Sequence, residues 1–208
     1  MKSVAEFMSR LIPLVPACPE PLAEQAITDS AIDFCERTTV LRVDADAFTT
    51  VAGTSLYDID VPSNHLLSRV IYVTVDGYPI HGEVTESLPA LDSYTGKPTN
   101  YYIVRDDSEI LLKLFPTPDD AYTVALNLAV RPTVGAAYLA DDLYNYWVEA
   151  VVAGAAYRVK AIPGQPFSDP VGAEYYNRRC KILCNNARNE SNIGRIVGSV
   201  KAQPRPFV

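Results

Sequence analysis

Two histidines, four cysteines and one pair of neighbouring carboxylates are the residues whose type and spacing bear on chemistry in this 208-residue chain. A metal site or a proton shuttle needs convergent partners. His65 has none close in sequence, and His81 has only Glu83 two residues on, so both read as surface histidines beside turns. Cys180 and Cys184 stand four residues apart, on one face of a helix, which suits a metal only if two further ligands join them. There is no CxxC, no HxxxH and no second cysteine pair, so both thiols read as core packing. Asp58 and Asp60 fall on one side of a strand and mimic the carboxylate pair of a glycosidase, but an outward strand face accounts for them better. Neither a GxxxxGK[ST] loop, a GxGxxG turn nor a GxSxG elbow is present. These residues predict a protein that is not an enzyme, with no catalytic group, no cofactor and no metal.

The aromatic residues point elsewhere. The chain has 13 tyrosines, and Tyr144, Tyr146, Trp147, Tyr157, Tyr175 and Tyr176 gather in its last third. Tyrosine joins a large apolar area to a polar tip and is enriched where proteins meet. Packing inside the fold accounts for about half of the group, and the remainder imply a helix face that meets a neighbour. A carbohydrate-binding module is the alternative, and its only candidate platform is the stretch around Tyr94, Tyr101 and Tyr102.

Charge is distributed unevenly. Residues 158–208 hold nine Lys/Arg and three Asp/Glu, whereas the first 157 residues are thirteen charges negative, for a total of −7. An acidic body repels nucleic acid over most of its surface, and the basic last quarter suits an acidic partner or a solvated tail. At 48% apolar and 21% charged the chain is not disordered, and its length allows about 70% of the unfolded surface to be buried. No apolar run is long enough to span a membrane, Glu6 and the absent apolar core argue against a signal peptide, and four cysteines at this density read as reduced thiols.

The elements that must position these residues are set by periodicity and breakers. Val4, Phe7, Met8 and Leu11 repeat at helical spacing behind a capping Ser3, and the prolines at 13, 16, 19 and 21 forbid one continuous helix beyond them. A second helix starts near Glu20 and buries Leu22, Ala26, Ile27, Ala31, Phe34 and Cys35, ending at Thr38-Thr39-Val40. The period then changes to two: strands are predicted at 56–61, 70–75, 101–104, 110–115 and 122–130, with Asp76-Gly77 as a hairpin turn and 85–98 as an exposed loop. Helices resume at Asp141, where Asp141 or Asp142 is the expected cap, and Gly154-Ala155-Ala156 admits a close neighbour. Pro163-Gly164 stops that helix, and Ser168 or Asp169 caps the last, whose stripe is Ala173, Tyr176, Cys180, Leu183, Cys184 and Ala187. The expected fold is α+β, a helical bundle formed by residues 1–39 and 136–193 with an antiparallel β sandwich or barrel (40–135) inserted, and an extended arm over 194–208.

Three stretches carry a likeness. They are Ile27 to Thr38, then Gly154 to Arg158 running on to Pro163-Gly164-Gln165-Pro166-Phe167-Ser168-Asp169-Pro170, and Ala173 to Arg179 followed by Gly194-Arg195 and Pro204-Arg205-Pro206-Phe207. With the helix–strand–helix order, the chain resembles the head-to-tail adaptor (connector) proteins of tailed bacteriophages, in particular the tail tubular protein A-like group of short-tailed phages. The resemblance implies a virion structural protein made in the host cytoplasm, a ring of twelve copies beneath the portal protein that extends the DNA channel and receives the tail nozzle or tail tubular protein. It implies no cofactor, no membrane and no sequence-specific contact with the genomic DNA. By position it makes Gly194–Val208 the portal-binding arm, with Arg195, Lys201, Arg205, Pro206 and Phe207 as contacts, and it gives Tyr144, Trp147, Tyr175 and Arg178 to packing between subunits. Another tail or baseplate component stays open as the alternative.

Overall fold

The computed structural model describes residues 1–83, 94–106 and 109–193. Helix α1 (Val4–Leu11) runs into a 3₁₀ turn (Ile12–Leu14), and α2 (Glu20–Thr38) comes after the proline-rich bend. Pro21 sits in the first turn of α2, where its missing amide costs nothing. Thr39 ends α2 in the left-handed conformation (φ 52°), its N–H bonded to the Cys35 carbonyl. α2 touches α1, α4 (Val148–Lys160) and α5 (Pro170–Ile193), as well as strand β9 (Thr123–Pro132). Its small and apolar residues explain this central place: Ala23, Ile27, Ala31, Phe34 and Cys35 are all buried. Its buried hydroxyls are paired too, Ser30 Oγ donating to the Val151 carbonyl at 2.8 Å and Thr38 Oγ1 to that of Phe34 at 2.6 Å.

The middle of the chain is one curled sheet. Its strands are β2 (Arg42–Asp44), β3 (Phe48–Thr49), β4 (Leu56–Asp58), β5 (His65–Val75), β6 (Tyr78–Gly82), β7 (Asn100–Asp106), β8 (Glu109–Phe115) and β9. The order is β2-β9-β5-β6-β7-β8-β4, with β3 also on β9. Asp76 (φ 50°) and Gly77 (φ 79°) make the β5–β6 hairpin turn, both with the positive φ that a two-residue turn of this hand requires. Two register shifts in β5, at Leu67/Arg69 and Val70/Tyr72, bend it against β9 and increase the local twist.

The strands join into a single curled sheet, a half-barrel, which sets aside the expected sandwich and meets the expected barrel in part. The departure from antiparallel pairing is at β6 and β7, which pair in parallel, His81 beside Asn100 and Gly82 beside Tyr101. A parallel join needs a connection longer than a hairpin, and the long segment between these strands supplies one. Alternation identifies strands but is blind to their relative direction. Gly82 fits the join closely, because a side chain there would strike the Tyr101 ring.

A small second sheet adds to the expected elements: β1 (Lys2–Ser3) pairs with β10 (Tyr138–Leu139), and the terminal amine of Met1 meets Asp141 at 2.9 Å. Asp141 is thus engaged by the amine instead of capping. Ala140 holds the cap position of α3 (Asp141–Asn145), and the Ser3 hydroxyl makes no cap bond to α1. The helical segment expected to start at Asp141 is two helices, α3 and α4, broken at Tyr146-Trp147, where the chain turns and lays the indole of Trp147 against Phe34. Among the described residues, one core cluster runs from Phe7, Leu11 and Phe34 through Leu128 and Val130 of the sheet to Val151 and Cys184. No described helix is long and apolar enough to cross a membrane.

Candidate assembly interface

α5 is the element that presents two different faces. Asp169 anchors its start: Oδ1 accepts from the Gly172 N–H at 2.9 Å and Oδ2 from Lys160 Nζ at 2.9 Å. Both donors hold the Asp169 carboxyl below its usual range, the amide contributing most. Gly172 leaves room for this cap, since a side chain there would overlap the carboxylate. Inward, Ala173, Cys180, Cys184 and Ala187 are buried against α2 and α4. The approach is close because Gly154 of α4 has no side chain, and a Cβ there would collide with Ser30 Oγ of α2.

Outward, α5 carries an uncovered stripe. Val171 is 82% exposed, Tyr175 63% and Ile182 53%, and with Arg178 they stand at i, i+4, i+7 and i+11. Arg178 pairs with Glu174 one turn back, and Arg179 reaches Glu149 of α4 at 2.6 Å. The Tyr175 ring meets Tyr176 edge to face at 5.1 Å. Large apolar groups at helical spacing on a surface helix are what a second helix covers.

The four residues assigned to packing between subunits therefore divide. Tyr175 and Arg178 lie on the exposed stripe. Tyr144 packs edge-on against Phe7 at 5.1 Å, with Lys2 and Arg10 over its ring, and Trp147 lies 5.8 Å from Phe34. Val171 and Ile182 are stripe residues that the sequence reading misses, although their spacing with Tyr175 and Arg178 is a signal that could have found them. Arg195, Lys201, Arg205, Pro206 and Phe207 of the arm lie outside the described residues; α5 brings the chain to their threshold at Ile193.

The residues with chemical potential do not converge. His65 Nδ1 lies 3.2 Å from the Ser63 carbonyl, His81 is exposed, and Glu83 accepts from Asn100 Nδ2 at 3.2 Å. Asp58 and Asp60 are exposed on the outer side of their segment. Among the described residues, no three His, Cys, Asp or Glu side chains gather as metal ligands would. Cys180 and Cys184 touch at 3.9 Å, and the bond from Cys184 holds the Cys180 thiol below its usual range against the opposing effect of burial. Burial pushes Cys35 up to about 12. Tyr101 and Tyr102 are buried in the sheet, leaving only Tyr94 of the candidate carbohydrate platform exposed.

No curated protein matches the chain. The model of the SU10 adaptor protein family matches residues 2–189, from β1 through most of α5, and stops short of the arm. That match takes in both helical segments and the whole sheet between them, and so the chain belongs to the SU10 adaptor protein family, as a structural adaptor of the phage virion.

Proposed function

We propose that this adaptor assembles as a ring of twelve copies beneath the portal protein at the head–tail junction, where it extends the DNA channel and forms the platform for the tail nozzle or tail tubular protein. In this reading it works as the tail tubular protein A-like adaptors of short-tailed phages do, and it catalyses nothing. The observation that carries the reading is the α5 stripe of Val171, Tyr175 and Ile182, an uncovered helix face on a chain whose family is made of adaptors. In a ring every contact is heterologous, one face of a copy meeting a different face of the next, and rotation closes the set. The helices α2, α4 and α5 form the packing unit, and the arm of residues 194–208 reaches the portal. Its Pro204 and Pro206 reduce the entropy lost on ordering, Phe207 supplies an anchor, and Arg195, Lys201 and Arg205 pair with acids. The acidic body keeps passing DNA from adhering, because phosphates are repelled at short range.

The stripe is tested with the paired substitutions Tyr175→Asp and Ile182→Asp. Both side chains are exposed, so the variant keeps the circular dichroism and melting temperature of the parent. It is expected to bind the portal without completing a ring, measured by mass photometry of the mixture. A complete ring formed by this variant contradicts the assignment of α5 to subunit packing.

A further inference from the structure

A cleft of about 560 Å³ lies where the C-terminal end of α2 meets α5 and strand β5. Arg37 and Thr39 contribute from the end of α2, Arg69 from β5, and Lys181, Arg188 and Asn192 from α5. Arg69 directly follows a register shift in β5, a distortion that re-aims side chains. On α5 the cleft residues 181, 185, 188 and 192 are one step of three from the exposed stripe, about 60° around the helix axis.

Several cations among the described residues are already matched. Arg37 bonds Asp33 at 2.7 Å, Arg131 bonds Glu36 at 3.0 Å, Arg158 bonds Asp33 at 3.1 Å, and Lys160, Arg178 and Arg179 each have a carboxylate. Glu36, the one acid lining the cleft among the described residues, is thereby neutralised from outside it. Arg69, Lys181 and Arg188 are exposed and make no ion pair or hydrogen bond with any described residue. The carbonyls at the end of α2 do not occupy them either: Phe34 receives Thr38 Oγ1, Cys35 receives the Thr39 N–H, and Thr39 receives Ser191 Oγ and Arg42 Nε. Three uncompensated cations thus face one concave site on a protein whose first 157 residues are strongly acidic.

We propose that this cleft is a docking site for an acidic peptide segment of the portal protein. The partner's identity rests on the portal-binding reading, whereas the chemistry of the cleft does not. Side-chain carboxylates enter a recess of this volume and accept from arginine in pairs, with Asn185 and Asn192 as further donors. Duplex DNA fits the site poorly, being too wide to enter a recess of this volume. Asn192 lines the cleft and stands two residues before the arm in sequence.

The test uses the full-length chain and a fluorescein-labelled peptide of alternating Asp and Glu, monitored by fluorescence anisotropy. The parent is expected to bind in a salt-dependent way, and the variant Arg69→Gln, Lys181→Gln, Arg188→Gln to bind at least about tenfold more weakly with its melting temperature unchanged. A full-length variant with Arg195→Ser, Lys201→Ser, Arg205→Ser and Phe207→Ala is expected to bind the peptide as the parent does while losing the portal. The arm's role and the cleft's are thereby read separately. Peptide binding unaltered by the three cleft substitutions overturns the proposal. So does displacement of the peptide by duplex DNA at a lower concentration of charge than unlabelled peptide requires.

Discussion

Gly154 sets the spacing between two helices by having no side chain. A Cβ at this position would collide with Ser30 Oγ, whose hydrogen bond to Val151 lies between α2 and α4. Alanine favours the helix by about 1 kcal/mol over glycine, and forced overpacking costs about 1–3 kcal/mol. The collision is with an atom tied on both sides, so the second effect wins. Gly154→Ala is expected to lower the urea midpoint, and Ser30→Ala, which removes the colliding oxygen, to relieve part of that loss in a double-mutant cycle. Asp169 acts through charge. Its folded value lies below the usual 3.8, so its contribution is complete above that pH and disappears as pH falls through the folded value. Asp169→Asn is therefore expected to be less stable than the parent at neutral pH, with the two thermal midpoints converging in acid. The small Gly154-Ala155-Ala156 run was legible in the sequence, which also offered Asp169 as one of two caps beside Ser168. The partners of Tyr144 and Trp147 were not, because helical spacing assigns a residue to a face without saying whether the same chain covers it.

At the scale of elements, α2 and α5 were the clearest. Each has a long apolar stripe, a proline at its start and an identifiable stop, and the structure places their expected core residues inside or at the margin of the core. The central strands were found for the same reason, and Asp76-Gly77 specified its hairpin directly. What escaped were elements too short to hold a period. β1 and β10 are two residues each, and β3 likewise, so their pairing is decided by what the rest of the fold brings beside them. The strand order and the parallel β6–β7 pair escaped too, since alternation gives a strand its faces and leaves its neighbours open. The uncovered stripe of α5 lies between these cases: its spacing is written in the sequence, but its exposure is decided only when Ala173, Cys180, Cys184 and Ala187 take the core.

The first 157 residues of the molecule are acidic and the last quarter is basic, and α5 lies within that basic quarter. The adaptor-family match spans the helix–sheet–helix order, and the exposed stripe and the cation-lined cleft are the two surfaces of α5 proposed for assembly. The most direct test is mass photometry of the chain alone and then mixed with the portal protein encoded in the same genome. A small species is expected for the chain alone and, only in the mixture, a heavy complex holding one adaptor per portal subunit. A chain that stays small in the presence of the portal would contradict the adaptor-ring assignment.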